Sequence, residues 1–125
     1  MAHLELGPMA MLPPRFMNRR FDPLERQDRF PILRTLKSRA LVFDGGMGTM
    51  IQRAKLTLDD FHGKEGCNEI LVRTRPDVIE SIHAAYFAAG ADVVETDTFG
   101  GQPYVLAEFD IGHEAFELNK MGAAL

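Results

Sequence analysis

The 125-residue chain reads as an α/β protein with parallel strands, and two observations carry that reading. Short apolar segments alternate with helical patterns, which implies parallel strands joined by right-handed crossovers. Each apolar segment also runs straight into acids and glycines, first in Leu41-Val42-Phe43-Asp44-Gly45-Gly46-Met47-Gly48 and again in Val93-Val94-Glu95-Thr96-Asp97-Thr98-Phe99-Gly100-Gly101. Two such clusters after two parallel strands share the C-terminal edge of one sheet, where α/β proteins build their sites.

Residues 1–28 form a basic extension expected to be irregular. Pro8, Pro13, Pro14 and Pro23 interrupt it, and no helical or strand period runs through it. Residues 29–125 form the second unit. Asp28 suits a helix N-cap with Pro31 in the first turn, and Ile32, Leu33 and Leu36 give the apolar face of a short helix ending near Ser38. A strand is expected at about Ala40–Asp44, since a short apolar run suits a strand buried on both faces. Met47, Met50 and Ile51 then recur at helical spacing over Gly46–Ala54, while Asp59–Cys67 is polar and reads as a loop or single turn.

The helix from Pro76 to about Ala89 is the best marked. Proline suits its first position, Asp77 and Glu80 favour the positive end of the helix dipole, and Gly90 stands at its C-terminal cap. Val78, Ile79, Ile82, Ala85, Tyr86 and Ala89 make one stripe. A second strand begins at Val93-Val94, Pro103 opens a helix towards Phe109, and a last amphipathic stretch covers His113–Leu125. Two parallel strands make a poor free-standing core. Residues 41–125 therefore read as the opening of something larger.

Composition bounds the function. Apolar residues at 46% and charged residues at 26% are ordinary for a soluble globular protein, and no apolar run approaches a membrane span. The net charge of −4 divides into +4 over residues 1–40 and −8 over residues 41–125. The arginines of the arm are interspersed with Asp22, Glu25 and Asp28, without the clustering that nucleic-acid contact needs. No apolar signal segment is evident, and the single cysteine, Cys67, excludes an internal disulfide framework. A cytoplasmic location is the default expectation.

The two clusters suggest a ligand. Asp44 offers a carboxylate to a cation, and glycines let backbone N–H groups approach an anion. An amino-acid zwitterion needs both. The plainer alternative is a tight strand-to-helix turn with an incidental acid. A phosphate-cradling loop over Gly45-Gly46-Met47-Gly48 ranks below both, because the lysine and spacing of such loops are missing.

Longer stretches of the sequence are more specific. Asp44-Gly45-Gly46-Met47-Gly48-Thr49-Met50-Ile51-Gln52 resembles the opening motif of the homocysteine S-methyltransferase domain. The likeness continues through Asn68-Glu69-Ile70-Leu71, Arg75-Pro76-Asp77-Val78-Ile79, Ile82-His83-Ala84-Ala85-Tyr86, Glu95-Thr96-Asp97-Thr98-Phe99-Gly100 and Glu117-Leu118-Asn119. Within that family it is most similar to the first domain of the cobalamin-dependent methionine synthases.

The resemblance implies a (β/α)8 TIM-type barrel, of which this chain holds the first two or so βα units. Such barrels typically need ~250 residues. It implies methyl transfer to homocysteine, giving methionine. Zinc held by cysteine thiolates on later strands would activate the homocysteine sulfur, with methylcobalamin and methyltetrahydrofolate supplying the methyl group. Neither catalytic residues nor metal ligands are expected in this chain, which alone is expected to be inactive. The remaining barrel or cobalamin-binding domains, on the same or another chain, are the implied partners. The competing reading is a non-catalytic fragment or interaction module completed by a partner chain.

By the same resemblance, Asp44 receives the homocysteine amino group, and the N–H groups of Met47 and Gly48, in the turn begun by Gly45 and Gly46, meet its carboxylate. Glu95, Thr96 and Asp97 line the same pocket. Asp97 stands where the family more usually has Asn; its charge favours the ammonium group or pairs with Arg73 or Arg75. Cys67 with His62 does not make a metal site, since structural zinc takes four ligands. His83 is expected at the helix surface or core edge and His113 near a helix start; for Phe99 a packed loop aromatic is preferred over a ring closing over the substrate.

Overall fold

A computed structural model describes residues 31–125. Asp28 and the arm of residues 1–28 lie outside the described residues. The chain divides into two units at Arg39/Ala40.

In the first unit, Pro31–Thr35 forms α1. Its last turn is closed by Leu36 and Arg39 N–H groups donating to the carbonyls of Ile32 and Thr35.

The second unit is mainly helical. Its elements are α2 (Met47–Arg53), a 3-10 turn (Asn68–Ile70) running into α3 (Leu71–Thr74), α4 (Pro76–Ala88) and α5 (Pro103–Leu106). A 3-10 turn (Ala107–Phe109), another (Gly112–Glu114) and α6 (Ala115–Gly122) complete it.

The two expected strands are not formed: the described residues contain no β-strand. One parallel bridge joins Phe43 to Val93. The Asp44 N–H donates to the Val93 carbonyl at 3.0 Å, and the Asp92 N–H donates to the Val42 carbonyl at 2.7 Å. The pairing is thus parallel and adjacent, as the alternation implies, but it does not extend. Parallel strands are stable when both faces are covered. Here Val42 is 57% exposed and Phe43 51%, and no third described segment pairs with either.

The helices follow local rules closely. α4 opens on Pro76, with Arg75 before it outside the helical region at φ −142° and ψ 56°, since a following proline disfavours the helical conformation. It ends in a Schellman motif: the Gly90 N–H donates to Phe87 and the Ala91 N–H to Tyr86, with Gly90 at φ +103°. That φ belongs to glycine. The turn after Phe109 repeats the pattern with Asp110 in the left-handed position. Asp60 ties the preceding loop by accepting from the Thr57 N–H and hydroxyl at 2.7 and 2.9 Å and from Arg75 at 2.8 Å.

Two apolar clusters form the core. Ile51, Leu71, Val78, Ile79 and Ile82 make one, packing α2 and α4 together. Cys67, Ile70, Val72, Leu106, Ile111, Ala115 and Leu118 make the other, beneath α5 and α6. The short α3 keys them together, because Leu71 enters one cluster and its neighbour Val72 the other, each almost completely buried. Burying such side chains is worth about 1.5–3 kcal/mol each. α3 was not expected from the sequence, since four residues are too few to display a helical period. His83 is buried at 6% exposure, deeper than a surface position, with Nε2 unpartnered.

Candidate functional site

The single parallel bridge is what builds the site. It holds the ends of the two segments side by side, so the turns that follow them open onto the same cavity, of about 450 Å³. From the first turn, Asp44, Gly45, Gly46, Met47 and Gly48 line it. From the second come Glu95, Thr96, Asp97 and Phe99. All eight residues that the sequence singled out for binding are therefore brought together. Asn68 and Glu69 complete the lining and were not singled out. The available signal was their place in the Asn68-Glu69-Ile70-Leu71 stretch; nothing in local spacing joins them to the glycine turns.

Hydrogen bonds fix the walls. Asp44 Oδ2 accepts from the Glu95 N–H at 3.0 Å, linking the two turns directly. Glu69 Oε1 accepts from the Gly100 N–H at 2.6 Å. A Cβ on residue 100 would stand 2.6 Å from that same oxygen, so a larger residue there would push the Glu69 carboxylate aside. The hydroxyls of Thr96 and Thr98 share a hydrogen bond of 2.8 Å. Asn119 anchors the far end of the second turn by donating to the Gly101 carbonyl at 2.7 Å. At the other wall Gly46 precedes α2, whose first N–H groups have no partner within the helix.

The electrostatics are one-sided. Asp44, Glu69, Glu95 and Asp97 all line the cavity, and among the described residues no Lys, Arg or His does. Asp97 is 6% exposed, and its Oδ2 has no hydrogen-bond partner. Burial, and then the Glu69 carboxylate, push its carboxyl up to about 6. Its expected pairing with Arg73 or Arg75 is not made. Arg73 bonds Glu114, and Arg75 makes a two-pronged bond to Asp77 at 3.0 and 2.9 Å as well as reaching Asp60. Those carboxylates lie outside the cavity and hold both guanidinium groups away from it. The ion pairs keep Asp77 and Glu114 below the usual carboxylate range.

Phe99 also departs from expectation. Instead of packing into its loop it is 94% exposed at the cavity rim. Cys67 is buried, with Sγ 4.0 Å from Glu69, and burial pushes its thiol up. Such a thiol is a core group. His113 lies in the 3-10 turn leading into α6 and is exposed. Among the described residues, no group of three or more His, Cys, Asp or Glu is arranged to hold a metal ion. With one cysteine in the sequence, the residues present do not fit a zinc held by several thiolates. None of the helices among the described residues is long and apolar enough to cross a membrane.

A cavity at the paired ends of two parallel segments, acidic on one side and offering backbone N–H groups on the other, has the chemistry to take a small cationic or zwitterionic group. The family description for homocysteine S-methyltransferases matches residues 41–125, and the chain belongs to that family. It is similar to the methionine synthases of Mycobacterium leprae and Mycobacterium tuberculosis. Each is 54% identical over 94 residues, which is 75% of this chain and 8% of the relative. The chain thus spans about 8% of the length of these curated relatives.

Proposed function

We propose that this chain supplies the amino-acid-binding wall of a homocysteine S-methyltransferase that converts homocysteine to methionine. Residues 29–125 are read as the first βα units of a (β/α)8 barrel, with residues 1–28 as an extension. The supporting observation is the convergence of both glycine-and-acid turns on one cavity with four carboxylates. Asp44 takes the ammonium group through the oxygen that does not accept from Glu95, and the N–H groups of Met47 and Gly48 take the carboxylate.

By likeness to the methionine synthases, the methyl group comes from methylcobalamin and is replenished from methyltetrahydrofolate, and zinc activates the homocysteine sulfur. No residue of this chain is assigned to any of these groups. Chemistry is therefore assigned to the complete enzyme, and binding and orientation of homocysteine to this part of it. Calorimetric titration of L-homocysteine into the chain tests the reading: saturable binding that is lost in Asp44→Ala supports it, and no heat in the wild type contradicts it.

One observation favours a second reading, an interaction module completed by another chain. Val42, Phe43 and Phe87 are each more than half exposed, and exposed apolar side chains favour association. Light scattering distinguishes the two: a monodisperse monomer speaks against the module.

A further inference from the structure

Among the described residues, the buried polar side-chain atom of this cavity that the structure leaves without a partner is Asp97 Oδ2. Asp44 spends an oxygen on the Glu95 N–H, and Glu69 spends one on the Gly100 N–H. Asp97 is more deeply buried than nine-tenths, lines the same cavity, and leaves Oδ2 unpartnered. An unsatisfied buried carboxylate oxygen is costly, and an ionised one more so. Among the described residues the surroundings offer no relief. Glu69 approaches from the Asn68–Ile70 turn, the Cys67 thiol stands near both acids, and Asp44 and Glu95 close the cavity wall. From α6, Gly122 lies against Thr98 and the Asp97 carbonyl and brings no charge. Lys64 is occupied by the Phe109 carbonyl and Lys120 by Glu117, as Arg73 and Arg75 are by their own partners.

We propose that Asp97 is a proton-linked specificity residue: at mildly acidic pH it holds a proton in the ligand-free protein and releases it to solvent when the ammonium group of the bound amino acid reaches the cavity. The proposal rests on the homocysteine reading of the cavity and adds a requirement to it. The upward push on the Asp97 carboxyl to about 6 agrees with a group protonated below neutrality. A cation beside a carboxyl favours its ionised form. One proton leaves Asp97, one positive charge arrives, and the four-carboxylate cavity is relieved of its unpaired acid. A ligand of the same length without an amino group cannot make this exchange, so the site discriminates against it most strongly where Asp97 is ionised and has no cation to pair with.

The test is calorimetry on the full chain with L-homocysteine and with its des-amino analogue 4-sulfanylbutanoate, in two buffers of different ionisation enthalpy, at pH 5 and pH 7.5. For the wild type, close to one proton released per homocysteine is expected at pH 5 and close to none at pH 7.5. Affinity should be roughly tenfold weaker at the lower pH, since one unit below a titration is a factor of ten. The analogue should release none. Asp97→Asn should bind with no proton release and no pH dependence. Glu69→Gln, which removes the neighbouring charge, should move the proton release to lower pH. Proton release that persists in Asp97→Asn, or that the analogue matches, overturns the proposal. Homocysteine binding without any proton release at pH 5 overturns it while leaving the cavity reading intact. No homocysteine binding by the wild type at either pH overturns both.

Discussion

The Asp44 carboxylate accepts a hydrogen bond from the backbone N–H of Glu95 across 51 positions of sequence, at 3.0 Å. This bond makes one cavity of two separate turns. A side chain that would serve a ligand is also what registers the second turn against the first. Asp44→Ala should therefore lose about 1–2 kcal/mol of stability, the cost of a removed charged acceptor, as well as homocysteine binding. Asp44→Asn keeps an acceptor for the Glu95 N–H and should recover most of the stability but not the binding. Urea melts paired with calorimetry separate the two effects.

Gly100→Ala should break the other tie. The new Cβ would sit 2.6 Å from Glu69 Oε1, the atom that accepts the Gly100 N–H. Glu69 must swing away, leaving that N–H unpaired at a cost of about 1–3 kcal/mol. A lowered urea midpoint with an unchanged slope is the expected result.

Two carboxyls should give stability opposite dependences on pH. Asp60 is pulled from 3.8 down to about 2 by the Thr57 N–H and by Arg75. Its stabilising contribution is complete above the unfolded value of 3.8 and is lost as pH falls through about 2. Asp97 is pushed from 3.8 up to about 6, so the folded protein binds the extra proton and stability declines as pH rises between those values. Asp97→Asn should then raise stability at pH 7.5 by on the order of 1–3 kcal/mol and have little effect at pH 4. Asp60→Asn should lower it at pH 7.5. Chemical denaturation at the two pH values reads both.

Phe99→Ala removes a side chain that is 94% exposed and should leave stability within about 0.5 kcal/mol of wild type. Because Phe99 borders the cavity, the same variant should weaken homocysteine binding severalfold. Equal affinities would show that the ring plays no part in holding the ligand.

What the sequence made legible follows from how local each signal is. α4 carries its proline, its apolar stripe and its Gly90 cap within fifteen residues of chain; the proline and the cap appear as expected, while the stripe is buried at Val78, Ile79 and Ile82 and leaves Ala85 and Ala89 exposed. The cavity was legible because both of its turns end apolar segments and both carry acids and glycines. Glu69 and Asn68 were missed as lining because they reach it from an intervening segment whose own pattern is silent about depth. The strands were overestimated because Leu41-Val42-Phe43 reads as doubly buried, while burial of a parallel strand depends on neighbouring segments. The fate of Arg73 was equally hidden, since its partner Glu114 is 41 positions away; Arg75 pairs with the nearby Asp77 as well as with the more distant Asp60.

The most direct measurement of the amino-acid site is an amide NMR titration of the ¹⁵N-labelled chain with L-homocysteine. Saturable shifts concentrated at Gly46, Met47 and Gly48 and at Glu95–Asp97, absent with Asp44→Ala, are expected if this cavity holds the amino-acid end of the substrate. Shifts confined to other surfaces, or none at millimolar ligand, would contradict it.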